Sequence, residues 1–174
     1  MAKQTLEPSL IPAEALGREA GLSHEDHQAV RLWLRLLTCS TQIEQVIRTQ
    51  LRNQFGTTLP RFDYLAQLSR FPKGLRMKTL SEYLMVTGGN VTGLTDQLVA
   101  EGWVERIADE ADRRSMIVRL TSAGEQHFNT MAAAHEQWLE QLFAPFGAKR
   151  ATELFEQLGQ LRAVLDQQAP DPAK

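Results

Sequence analysis

A single cysteine, Cys39, stands in the 174 residues. No internal disulfide is therefore available, and no pair of thiolates can build a zinc site. No run of about 18 apolar residues occurs, which excludes a helical membrane span. The stretch from Met1 to Ser9 has no apolar core of signal-peptide length. Internal repeats are absent, and 11 glycines and 7 prolines are too few for a low-complexity chain. Catalytic signatures are missing as well: no Gly-x-Ser-x-Gly elbow, no His-Glu-x-x-His, no P-loop and no dinucleotide-type glycine pattern. These absences predict a soluble cytosolic protein that is not an enzyme, needs no cofactor and stays off membranes. Its length suits one domain, or one domain with an oligomerisation extension.

A chain-wide basic field is also lacking, because 19 Lys and Arg face 21 Asp and Glu, a net charge of −2. The spread is uneven. Residues 1–25 carry a net −2, residues 26–56 +2, residues 57–120 +1 and residues 121–174 −3. A polyanionic partner should meet the middle of the chain, through locally placed arginines and helix ends.

What is present is mostly helical periodicity. Residues 1–22, with Pro8, Pro12 and Gly17, read as an arm. Ser23 and Asp26 form a capping-box pattern ahead of a helix of roughly 30 residues, about 45 Å long. Leu32, Leu36, Cys39, Ile43, Val46 and Ile47 mark one face of it, and Trp33, Leu37 and Ser40 a second. Two stripes on so long a helix suggest packing against a partner as well as against its own chain. Gly56 ends it. A short helix follows from about Pro60 to Arg70, then a break at Phe71–Gly74. Thr79 and Glu82 suggest a second capping box for a two-turn helix. Val86–Gly89 turns the chain into a helix from about Gly88 to Glu101, with Val91, Leu94 and Leu98 inward. Two short helices joined by a tight turn make a helix-turn-helix outline. The period then changes to two at Trp103–Ile107 and Met116–Leu120, a hairpin or wing around the charged turn Ala108–Arg114. Thr121 or Ser122 caps a further helix carrying Phe128, Met131, Leu139 and Phe143. A last amphipathic helix carries Leu154, Phe155, Leu158, Leu161 and Leu165, and the tail 168–174 reads as disordered.

The expected fold class is therefore mainly α. It is a winged helix-turn-helix with a two-stranded wing at 57–120, and long terminal helices at 23–56 and 121–167 forming a dimerisation region. A helix N-terminus offers unpaired N–H groups to phosphate, and Asn can read adenine in the major groove. Thr87, Gly88, Gly89, Asn90 and Thr92 occupy that start. Each glycine inside a helix costs about 1 kcal/mol relative to alanine. The repetition at Gly88, Gly89 and Gly93 asks for a reason: close approach of DNA, or a flexible turn against a neighbouring helix. Arg113 and Arg114, beside Asp112, stand at the wing tip, where arginine can enter the minor groove; an ordinary solvated turn is the alternative.

The stretch Leu80–Gly124 resembles the multiple-antibiotic-resistance regulator (MarR) family of bacterial transcription factors. The resemblance lies in VTGGNVTGLTDQL, the EGWVER entry to the wing, its DRR and the LTSAG helix start. In helix order it extends over about residues 26–165. It implies a homodimer whose outermost helices interleave and whose recognition helices read a palindromic operator in double-stranded DNA. It also implies regulation by a small molecule, often aromatic, bound between the dimer and DNA-binding parts. Position by position, it places Thr87, Gly88, Gly89, Asn90 and Thr92 at the recognition-helix start, Arg113 and Arg114 in the wing, and Asp112 as the wing aspartate. The paired glycines depart from the more usual serine-rich start. The phrases LRLLTCSTQIEQ, TLPRFDYLAQL and MVTGGNVTGLTDQL are similar to the branch controlling aromatic-acid catabolism, which implies a repressor released by a hydroxycinnamate-type acid or its CoA thioester. Such an effector needs an apolar slot and cations. Trp33, Leu37, Phe62, Phe128, Met131 and Trp138 are candidates for the slot, with His135 as a further contact. Arg31, Arg35, Arg48 and Arg52 are candidates for the charge. Core aromatics and a solvated basic face are the alternative.

Cys39, on an apolar stripe, reads as a packing residue, with peroxide sensing as the alternative. His24 and His27, three apart, read as surface residues in preference to zinc ligands. A dimeric helical ligand-binding module without operator specificity is the alternative from another class.

Overall fold

The computed structural model describes residues 28–84, 88–109 and 116–168. In chain order they form α1 (Gln28–Phe55), α2 (Leu59–Ser69), β1 (Leu75–Arg76), α3 (Met77–Leu84) and α4 (Gly88–Ala100). Then come β2 (Val104–Ala108), β3 (Met116–Leu120), α5 (Ser122–Phe143), a 3₁₀ turn (Ala144–Phe146) and α6 (Ala148–Gln168). The chain divides into two compact units, Met1–Arg61 and Phe62–Lys174.

The first unit is dominated by α1, whose 28 residues contain neither glycine nor proline. Two of its hydroxyls find acceptors within the helix itself, Thr41 and Thr49 donating back to the carbonyls of Leu37 and Gln45 at 2.7 and 2.8 Å. Only Ile47 and Leu51 of this helix are buried. The apolar stripes predicted toward its start stay open in the single chain: Leu32 and Trp33 are exposed, and so is Cys39. The packing role expected for Cys39 is therefore not seen in the monomer.

The second unit holds the core. Tyr64, Leu65 and Leu68 of α2, Leu80 of α3, Val91, Thr95 and Leu98 of α4, Val104, Val118 and Met131 are all sealed from solvent. Three antiparallel strands run in the order β1-β3-β2. Leu75 pairs with Val118 and Arg76 with Ile117 on one side of β3, while Val104 to Ala108 pair with Leu120 to Met116 on the other. The two wing strands lie where the alternation predicts. The third strand, β1, is new: two residues are too few to show a period.

That strand also displaces the capping box predicted at Thr79 and Glu82. Arg76 is still paired in the sheet, and α3 begins at Met77, so Thr79 lies inside the first turn of the helix instead of before it. At the far end of the unit, α6 buries none of its residues. It leaves Leu154, Phe155, Leu158, Val164 and Leu165 exposed, Phe155 at 79%.

Candidate nucleic-acid interface

Helix α4 is held from three sides. On its inner face the Thr95 hydroxyl reaches the Val91 carbonyl at 2.7 Å and the Tyr64 hydroxyl of α2 at 2.6 Å, both contacts buried. A carbonyl accepts only, so Thr95 donates to Val91 and Tyr64 donates to Thr95. Burial pushes the Tyr64 phenol up to about 12, which keeps it a neutral donor. On the outer face Asp96 is ion-paired to Arg106 of β2, Oδ1 to Nη2 at 2.5 Å.

At its C-terminus Gly102 takes φ +78°. Its N–H donates to Val99 and that of Trp103 to Leu98, each at 3.0 Å. This is a Schellman cap, and it needs a residue tolerant of the left-handed region. Thr121 then ties the cap to the next helix. Its hydroxyl donates to the Gly102 carbonyl at 2.7 Å and accepts from the Gly124 N–H at 3.0 Å, while its own N–H donates to Trp103 at 3.0 Å. A Cβ on Gly124 would lie 1.9 Å from the Trp103 oxygen. The sequence offered Thr121 or Ser122 as the cap; the geometry selects Thr121.

So fixed, α4 turns Gly89, Asn90, Thr92, Gly93 and Asp96 to solvent. A Cβ built on Gly89 or Gly93 would meet nothing within 4 Å. Among the described residues neither glycine meets a neighbour that requires it, yet Gly93 in the helix interior costs about 1 kcal/mol. Gly88 opens the helix. Thr87, Asp112, Arg113 and Arg114 lie outside the described residues, as do His24 and His27.

The predicted effector residues fall on different elements. On α1, Arg31 and Arg35 line a recess of about 220 Å³ with Gln28 and Leu32; Trp33 is exposed and Leu37 half-buried. Within the second unit Phe62, Phe128 and His135 come together. Ring centroids lie 5.6 Å apart for Phe62–Phe128 and 4.9 Å for Phe62–His135, with the Trp138 ring 6.4 Å from His135. Burial lowers the His135 pKa below the ordinary histidine value. Met131 is fully buried and offers no surface to a ligand, contrary to its place in the predicted slot. Its side chain fills the core instead.

Phe62 also walls a groove of about 330 Å³ that the sequence did not suggest, lined with Asp63, Ala66 and Gln67 of α2, Arg70 just after it, and Tyr83 and Leu84 of α3. The α2 residues recur at helical spacing, so one face could have been read from the sequence; the α3 wall could not. Among the described residues no group of three or more His, Cys, Asp or Glu is placed to hold a metal, and no helix is long and apolar enough to cross a membrane.

A family profile described as MarR family matches residues 55–115. A solved MarR family transcriptional regulator from Silicibacter pomeroyi is 32% identical, with a TM-score of 0.68, over 85% of this chain and the whole of that one. The chain belongs to the MarR family. Curated relatives include the transcriptional activatory protein BadR of Rhodopseudomonas palustris, 33% identical over 60% of this chain. Another is the transcriptional repressor MprA of Escherichia coli, 24% identical over 95% of this chain and 96% of its own. The chain spans 60% of the length of BadR and 64% of that of the regulator PecS. The MarR profile covers α2 through the wing turn, and so every residue proposed to meet DNA. The profile stops short of Phe128, Met131 and His135, and begins after Arg31–Leu37.

Proposed function

We propose that this protein is a homodimeric, ligand-responsive DNA-binding transcriptional regulator. The observation that carries the reading is the outward face of α4. Two glycines with nothing above them, beside Asn90 and Thr92, leave room for a DNA backbone against a helix start. Thr87, Gly88, Gly89, Asn90 and Thr92 would position and read the major groove, and Arg113 and Arg114, oriented by Asp112, would hold the adjacent backbone or minor groove. A two-fold dimer places such helices about 34 Å apart, or a multiple of that, on a palindromic operator. The unburied apolar side of α6 supports the dimer, since a helix with Phe155 and Leu165 bare in water gains by covering them.

We propose further that the regulator represses genes for aromatic-compound catabolism and leaves DNA when an aromatic acid, or its CoA thioester, binds. The Phe62–Tyr83 groove, with Arg70 at its edge, supports an aromatic carboxylate of small size. Its volume suits the aromatic portion; a CoA moiety would extend beyond it. Effector release needs only that the ligand prefer a helix spacing different from the DNA-bound one.

Fluorescence anisotropy on the DNA upstream of its own gene, at physiological salt, tests the whole reading. Specific binding released by p-coumaroyl-CoA or p-coumarate supports both parts. Specific binding untouched by either, or by CoA, keeps the regulator and discards the effector. Equal affinity for random DNA discards the regulator in favour of a ligand-binding module. The exposure of Cys39 favours one second reading, a redox-sensing regulator. In that case peroxide, and not an aromatic acid, would abolish DNA binding.

A further inference from the structure

Asp109 follows the last residue of β2, where the chain leaves the sheet, and yet is only 6% exposed. A carboxylate so placed is tolerable when a cation meets it. Arg76 of β1 does so, with Nε 2.7 Å and Nη2 2.5 Å from the same Oδ2. Between the two residues lies β3, for Ile117 pairs with Arg76 on one side and with Ile107 on the other. The ion pair therefore spans the middle strand and joins the two outer ones. To the two residue pairs by which β1 joins the ladder, this contact adds a direct link between the outer strands.

We infer that the Arg76–Asp109 pair is a positioning device for DNA binding. It fixes the direction in which the chain leaves β2 at Asp109, ahead of the arginines proposed to meet DNA, Arg113 and Arg114, four and five residues further along the sequence. The inference rests on the DNA-binding reading above. Arg76, 33 residues earlier in the chain, then governs affinity through Asp109 and not by touching DNA.

Simple electrostatics predicts the opposite sign at one of the two positions. Asp109→Asn removes a negative charge near a polyanion and would tighten binding if charge alone mattered; loss of positioning weakens it.

The test is anisotropy on the upstream duplex over a range of salt, with the dimer and thermal midpoint of each variant measured alongside. Arg76→Gln and Asp109→Asn should each weaken specific binding roughly tenfold, and the double variant no more than either single one. Arg76→Lys should retain much of the affinity. In an Arg113→Ala/Arg114→Ala background neither substitution should matter further, a coupling that general loosening of the fold does not produce. If Arg76 instead binds a phosphate, Arg76→Gln alone lowers the salt slope by about one, Asp109→Asn does not weaken binding, and the inference is overturned. Should Asp109→Asn fold poorly, Arg76→Gln and Arg76→Lys carry the same comparison. Specific wild-type binding left unchanged by both substitutions overturns the inference alone. Wild-type binding without preference over random DNA overturns the DNA-binding reading and this inference together.

Discussion

The buried pair Tyr64–Thr95 makes an ordering of stabilities that runs against the count of atoms removed. Thr95→Val is nearly isosteric but deletes the acceptor of the Tyr64 hydroxyl. Tyr64 and Thr95 are both fully buried, so no water replaces that acceptor. A buried donor left unmatched costs about 1–3 kcal/mol, and we take about 2 kcal/mol for Thr95→Val. Tyr64→Phe deletes the donor instead. The Thr95 hydroxyl keeps its bond to the Val91 carbonyl at 2.7 Å, so the loss is that of one ordinary hydrogen bond, about 1 kcal/mol. Removing both groups together leaves no orphan, because the Val91 carbonyl is also an ordinary α-helical acceptor.

The double variant should therefore be more stable than Thr95→Val alone, a coupling of the kind a double-mutant cycle isolates. Urea denaturation followed by far-UV circular dichroism, at one protein concentration so that dimer linkage is constant, reads the ordering directly. With a slope of about 2 kcal/mol per molar urea, Thr95→Val lowers the midpoint by roughly 1 M and Tyr64→Phe by about half of that. Additive losses, with the double variant the least stable of the three, would refute the donor assignment and the claim that the contact is dry.

Other outcomes follow from the same geometry. Gly124→Ala drives a methyl into the Trp103 carbonyl and should cost about 3 kcal/mol, lowering the thermal midpoint by roughly 6–12 °C; an unchanged midpoint would mean the joint is pliable. Thr121→Ala should lose about 1 kcal/mol and Thr121→Ser most of nothing, since the cap is the hydroxyl; equal losses in a urea titration would assign the effect to the methyl group. Phe155→Glu should shift the sedimenting species from dimer to monomer, and an unaltered dimer would place the interface elsewhere than on α6. His135, whose pKa burial lowers, favours the fold while neutral. Its contribution is complete above the unfolded value near 6.5 and declines as pH falls through it. Wild type should accordingly lose more stability than His135→Phe between pH 8 and 5; parallel curves in urea would remove histidine from the account.

How far the sequence foretold this architecture depends on the range of the interaction concerned. Helix limits such as Gly102 and the start of α5 were legible because caps are local chemistry, written within four residues. The wing strands were legible because Met116–Leu120 alternates. The third strand was not, since Leu75 and Arg76 become a strand only through β3, more than 40 residues later. Thr95 gave no signal either: a threonine between Leu94 and Asp96 reads as surface until Tyr64, 31 residues away, supplies a partner. Asp109 read as one more charge in a polar turn, because its burial depends on an arginine across the sheet. In the candidate interface the glycines of α4 were visible as an anomaly of propensity. The groove beside Phe62 needed two helices to meet.

The joint at Thr121 has a mechanical meaning. The end of α4 and the beginning of α5 are fastened through main-chain carbonyls, those of Gly102 and Trp103, so the fastening is independent of which side chains α4 shows to the outside. From that fixed point α5 runs 22 residues, about 33 Å. A tilt of only about 3° at the joint moves the distal end by nearly 2 Å on that length. The helix is thus a long arm on a short pivot: a small rotation at the α4 end would become a displacement of that size at Phe143, which stands exposed. The outward residues of α4, and with them the target sequence proposed above, can therefore change without any redesign of this joint.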